Sequence, residues 1–110
     1  MYRTNVLFVC SRNKRRSLTA EMMWKNDPNW DVKSCGTSDS SRIKINENLL
    51  NWADLVLVME KKHLSMIRQK FPFVESSKLI RVLYIADVFE LMDDKLIELL
   101  QTKCEEIMNQ

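Results

Sequence analysis

The sequence predicts an α/β fold: a doubly wound, four-stranded parallel sheet in the order 2-1-3-4, with helices on both faces. Residues 1–110 read as one domain. Three observations lead there. Val6-Leu7-Phe8-Val9 and Leu55-Val56-Leu57-Val58-Met59 are short, unbroken apolar runs, the pattern of strands buried on both faces. Between and after them lie amphipathic segments of helical period. The first strand also gives way abruptly to a polar, basic loop, Cys10 to Ser17, before a helix begins.

Strand one is predicted from Tyr2 to Val9. Helix one follows from Ser17 to about Asn26, with Ser17 as its cap and Glu21 in its first turns. Met23 faces the sheet in this reading, and Trp24 is core or rim. Asp27-Pro28-Asn29 stops the helix. Trp30 to Cys35 alternates, setting Trp30, Val32 and Ser34 against Asp31, Lys33 and Cys35, as in a half-buried edge strand. Thr37 to Arg42 is a polar connection.

Ile45, Leu49, Trp52 and Ala53 share one helical face, and strand three runs from Asp54 to Met59. Lys61 to Phe71 is amphipathic, with Leu64, Ile67 and Phe71 spaced for burial, and Pro72 ends it. Leu79 to Leu83 is strand four, and Tyr84 to Met92 a loop. The last helix runs from about Asp93 to Met108, with Leu96, Leu99, Leu100 and Ile107 inward and Asp93 and Asp94 against its N-terminal dipole. His63, the only histidine, reads as a surface residue in the first turn of its helix. Cys35 reads as a small core side chain, and Cys104 as core or surface.

Chemistry is concentrated at the first strand–helix junction. A cysteine at the carboxyl end of a buried strand faces a helix N-terminus, and Arg16 lies six residues on. Successive loop N–H groups and the helix dipole form a concave site for an oxyanion. That field suits an anionic sulfur, the nucleophilic form of cysteine. Arg16 can fork two hydrogen bonds onto phosphate oxygens. The predicted phosphate-binding loop is Ser11, Arg12, Asn13, Lys14, Arg15 and Ser17, closed by Arg16. With strand order 2-1-3-4, the end of strand one is the switch point where open sheets bind ligands. Attack on a phosphate ester also needs an acid for the leaving oxygen. Asp87, Glu90, Asp93 and Asp94 lie after strand four and are the candidates, with Phe89 or Tyr84 as a wall for an aromatic leaving group.

Val6-Leu7-Phe8-Val9-Cys10, Asn13, Arg16-Ser17 and Ala20-Glu21 resemble the opening of the low-molecular-weight protein tyrosine phosphatases. Ser34-Cys35-Gly36-Thr37 is similar to that family's Ser-Ala-Gly-Thr segment, and Trp52-Ala53-Asp54 with Leu55 to Glu60 is similar to the helix end before its third strand. The resemblance covers most of a short, divergent chain. It implies the same fold and a phosphomonoester hydrolase of protein tyrosine phosphatase type, working through a cysteinyl-phosphate. Cys10 would be the nucleophile, Arg16 the oxygen clamp, and Asn13 and Ser17 the groups that order the loop and stabilise the sulfur. Ile85-Ala86-Asp87-Val88-Phe89 holds the family's acid position, its flanking prolines and tyrosine changed, which makes Asp87 the expected acid and then base. Arg12 stands where the family has glycine, and Arg15 where it often has a second cysteine. Substrates would be phosphorylated proteins or small phosphomonoesters; no cofactor and no metal are implied.

Two other readings use the same loop. One is a catalytically weak phosphate- or phosphopeptide-binding module, favoured by Arg12 and the missing prolines. The other is arsenate reduction, which needs relay cysteines that the loop after strand four lacks.

Composition limits the rest. The net charge of +2 implies no bulk attraction to nucleic acid. Arg12, Lys14, Arg15 and Arg16 concentrate the basic charge without interleaved aromatics, which weakens a nucleotide-stacking role and points to acidic substrates. Three cysteines without paired spacing, no membrane-length apolar run and no secretory leader suggest a reduced, cytoplasmic protein.

Overall fold

The structure, a computed structural model, describes residues 3–72, 74 and 78–108. Four strands, β1 (Thr4–Cys10), β2 (Trp30–Gly36), β3 (Leu55–Val58) and β4 (Leu79–Val82), pair in parallel in the order β2-β1-β3-β4. The helices are α1 (Arg16–Trp24), α2 (Glu47–Trp52), α3 (Lys61–Lys70) and α4 (Asp94–Met108). Tyr2, the predicted start of strand one, lies outside the described residues.

The pleat of β1 sorts the core into two layers. Val6, Phe8 and Cys10 point to the side covered by α1 and α4, where Ala20, Leu96, Leu100 and Cys104 are buried with them. Leu7 and Val9 point to the other side, beneath Leu50 and Ile67 from α2 and α3. A strand apolar on both faces is thus explained by helices on both faces. Three aromatic rings secure α1: Phe8 stacks on Trp24 at 5.6 Å between centroids, and Trp24 lies 5.4 Å from Trp30.

Helix one departs from the expectation at its start. It begins at Arg16, its cap position is Arg15, and no side chain caps it. Ser17 is inside the helix with its hydroxyl turned into the site, so the residue chosen as a cap does other work. His63 is the second departure. It sits in the first turn of α3 as expected, but it is 1% exposed rather than on the surface. Its Nδ1 accepts the Glu60 N–H while the Glu60 side chain accepts the His63 N–H, a reciprocal cap that draws the ring inward.

Candidate active site

Residues 11–15 turn the chain from β1 into α1. The segment after β2 takes the carbonyls from Cys10 to Asn13. Cys10 O accepts from Thr37 N–H, Ser11 O from Ser38 N–H and the Ser41 hydroxyl, and Arg12 O from Arg42 N–H. The Arg42 Nε–H donates to Asn13 O. Of the loop N–H groups, that of Asn13 is directed at the Cys10 sulfur, as one member of an anion nest would be. The polar segment 37–42, expected to be a solvated connection, is therefore the outer brace of the loop.

Two residues allow this turn. Asn13 adopts a φ of 58°, a left-handed conformation that asparagine tolerates better than most side chains. Gly36, the chain's only glycine, passes so close to the loop that a Cβ there would lie 2.7 Å from Ser11 O and 2.9 Å from the Arg12 carbonyl carbon. Arg12, where the resembling family has glycine, is not among the residues with positive φ, so its side chain costs the backbone nothing.

The Cys10 sulfur lies at the centre. It is 2.9 Å from Ser17 Oγ and accepts the Asn13 N–H at 3.2 Å. Asn13 Nδ2 donates to Ser17 Oγ and to Ser34 Oγ, and the Ser34 hydroxyl donates to Glu21. A chain of buried hydrogen bonds thus fixes both hydroxyl and loop from α1 and β2.

Arg16 is 1% exposed, yet its charge is balanced. Its Nη1 donates to Glu60 Oε2 at 2.9 Å and to Ile85 O at 2.8 Å. On the other edge the contacts are longer: Asp87 Oδ1 is 3.7 Å from Nε, and Ser11 Oγ is 3.5 Å from Nη2. One edge is anchored, and the Nε–Nη2 edge remains for a bidentate oxyanion. The Arg16 hydrogen bond, opposed by partial burial, holds the Glu60 carboxyl below its usual range.

His63, expected at the surface, belongs to this site. Burial, helped by the Arg16 charge, pushes it down to about 4, so it is neutral near pH 7. Its Nδ1 accepts a backbone N–H, which leaves the proton on Nε2, 3.0 Å from Ser11 Oγ. The imidazole therefore donates to Ser11, and the Ser11 hydroxyl is free to donate in turn. Burial, with the nearby Cys10 charge, pushes the Cys35 thiol up to about 12. Burial also pushes Cys104 up to about 12. Both are core residues.

A cavity of about 290 Å³ opens over the sulfur, lined by Cys10, Arg12, Lys14, Arg15, Arg16 and Asp87. Asp87 arrives from the loop after β4 and is 52% exposed. Glu90 pairs loosely with Arg15 at 3.8 Å, and Asp93 Oδ1 accepts the Lys95 N–H at the start of α4, so neither lines the cavity. The expected aromatic wall is not there. Tyr84 is 69% exposed and outside the cavity, and Phe89 packs against the α1–α4 side of the core. The Phe89 ring is half-buried there, which takes part of its apolar surface out of water.

No protein-family model matches the chain, and no curated protein matches it. Solved structures do. The tyrosine phosphatase AmsI of Erwinia amylovora aligns over 98% of this chain and 93% of its own, at 20% identity and a TM-score of 0.77. The low-molecular-weight protein tyrosine phosphatase SP-PTP of Streptococcus pyogenes aligns over 96% and 91%, at 16% identity and a TM-score of 0.74. The YwlE arginine phosphatase of Geobacillus stearothermophilus aligns over 96% and 94%, at 21% identity and a TM-score of 0.71. The sheet order, the strand–loop–helix junction and these matches agree: the chain has the fold of the low-molecular-weight protein tyrosine phosphatases.

Proposed function

We propose that the protein is a cysteine-dependent phosphomonoester hydrolase. The observation that carries this is the convergence on one sulfur: Asn13 N–H and Ser17 Oγ at Cys10, a buried Arg16 with one edge open, and Asp87 on the same cavity. The fold matches proteins named as tyrosine and arginine phosphatases, which supports the reading.

In this mechanism the loop amides and Arg16 hold the phosphate oxygens and stabilise the charge that builds on them. The Cys10 thiolate attacks phosphorus, forming an S–P bond as the ester P–O bond breaks. Asp87 donates its proton to the departing oxygen. It then takes a proton from the water that attacks the phosphocysteine, releasing inorganic phosphate and the thiolate. Ser17 steadies the sulfur in both steps through its hydroxyl at 2.9 Å.

The competing reading is a module that binds phosphate without turning it over. Asp87 on the cavity and the ordinary backbone of Arg12 favour catalysis over it. Hydrolysis of p-nitrophenyl phosphate separates the two. Wild type should turn over, Cys10→Ser should be inactive, and Asp87→Asn should lower kcat by about 10²–10⁴. A wild type no faster than Cys10→Ser refutes the enzyme. Turnover insensitive to Asp87→Asn removes Asp87 as the acid.

A further inference from the structure

The cavity carries more positive charge than one phosphate needs. The loop amides and Arg16 already serve the reacting group, and Glu60 and Asp87 offset Arg16. Arg12, Lys14 and Arg15 are exposed and line the same cavity. Arg15 has only a loose, solvent-exposed pair with Glu90. Among the described residues, no carboxylate lies within ion-pair distance of Arg12 or Lys14. Like charges gathered on one short loop repel one another until an anion arrives.

The rest of the lining points the same way. Among the described residues, no aromatic side chain borders the cavity, so they offer no slot for a phenyl ring. Its volume of about 290 Å³ leaves room for more than one phosphate group. Recognition beyond the reacting phosphate therefore rests on charge, at short range, on the catalytic loop itself.

We propose that the preferred substrate is a compact phosphomonoester bearing a second phosphate, which Arg12 and Lys14 hold while Cys10 and Arg16 engage the reacting one. This rests on the hydrolase reading above and adds a substrate class to it.

The test compares kcat/KM for fructose 1,6-bisphosphate with fructose 1-phosphate and fructose 6-phosphate, in wild type and in Arg12→Gln/Lys14→Gln. The readout is the bisphosphate-to-monophosphate ratio, whatever happens to the absolute rates. Wild type should favour the bisphosphate by about tenfold or more, as expected of charge-assisted contacts. The ratio should fall toward one in the double variant and should shrink as ionic strength rises. No preference in wild type overturns the proposal, and so does a preference that survives in the variant. Phosphotyrosine peptides with acidic and with neutral flanks form a second arm. If an acidic peptide outperforms the bisphosphate and depends on the same two residues, the assignment to a compact ligand is wrong. Calorimetric titration of Cys10→Ser with the bisphosphate and with inorganic phosphate isolates binding from turnover. Tighter binding of the bisphosphate through Arg12 and Lys14, without turnover by wild type, upholds the second-phosphate site and rejects the hydrolase. Equal binding of the two ligands rejects the site.

Discussion

Gly36→Ala tests whether the brace behind the loop holds the site. A Cβ at residue 36 would clash with Ser41 Oγ and would meet Ser11 O at 2.7 Å and the Arg12 carbonyl carbon at 2.9 Å. The obstacle is space and not backbone conformation, since Gly36 has no positive φ. The Ser41 hydroxyl can swing aside only by giving up its hydrogen bonds to Ser11 O and Ser38 O. The other two contacts are main chain and cannot rotate away. Reaching ordinary van der Waals separation requires the loop and β2 to part by roughly 0.7 Å. Overpacking of this kind costs about 1–3 kcal/mol, a fall in Tm of roughly 5–15 °C for a domain of this size. If Cys10 acts as proposed, a displacement approaching 1 Å at its sulfur and the loop amides costs up to about 10²-fold in rate. Urea unfolding and p-nitrophenyl phosphate hydrolysis measure the two effects. Repeating Gly36→Ala in a Ser41→Ala background removes the side-chain clash and leaves the main-chain ones, so most of the penalty should persist. A Gly36→Ala protein within about 0.5 kcal/mol of wild-type stability and twofold of its kcat/KM would refute the reasoning.

Further outcomes follow from the buried titratable groups. Unfolded His63 takes up a proton near pH 6.5, whereas the folded ring resists until about 4. The unfolded state therefore binds more protons between those values, and stability falls as pH drops from about 6.5 to 4, by on the order of 1–3 kcal/mol. His63→Gln should be less stable near pH 7 but lose less on acidification; equal slopes in urea unfolding against pH would sink this account. With Cys35 and Cys104 pushed up to about 12, iodoacetamide at mildly alkaline pH should label native protein at Cys10, more slowly in the presence of phosphate. Peptide mapping that finds Cys35 or Cys104 labelled as fast as Cys10 would contradict their burial.

Much of the fold was legible because it rests on local signals. Apolar runs at residues 6–9 and 55–59 mark strands covered on both faces, and the structure puts helices there. Cys10, Asn13, Arg16 and Ser17 are legible as a group because they lie close together in the chain, across the turn from β1 into α1, where spacing largely sets the geometry. What the sequence concealed is what folding brings together over long separations. His63 meets Ser11 across 52 positions, and Glu60 meets Arg16 across 44. The pair Glu60 and His63 did carry a signal, since their spacing is that of a reciprocal helix cap, which could have turned the ring inward in the reading. Phe89 was misplaced because one residue cannot reveal whether a loop sends its ring to the cavity or to the core.

Arg16 shows why the site cannot be reduced to its loop. Its guanidinium is held from three directions: by its own place at the start of α1, by Glu60 at the β3–α3 junction, and by the Ile85 carbonyl after β4. A buried cation without such partners is costly, so the three elements must be assembled before Arg16 can lie under the cavity. Ile85 is itself placed by its N–H to Met59 O, which extends the β3–β4 pairing past the end of β4. The same extension delivers Asp87 two residues later. Closure of the last strand thus sets both Arg16 and the proposed acid, and a change that loosens β4 from β3 should weaken the proposed oxyanion binding and proton delivery together, although it lies outside the loop that follows Cys10.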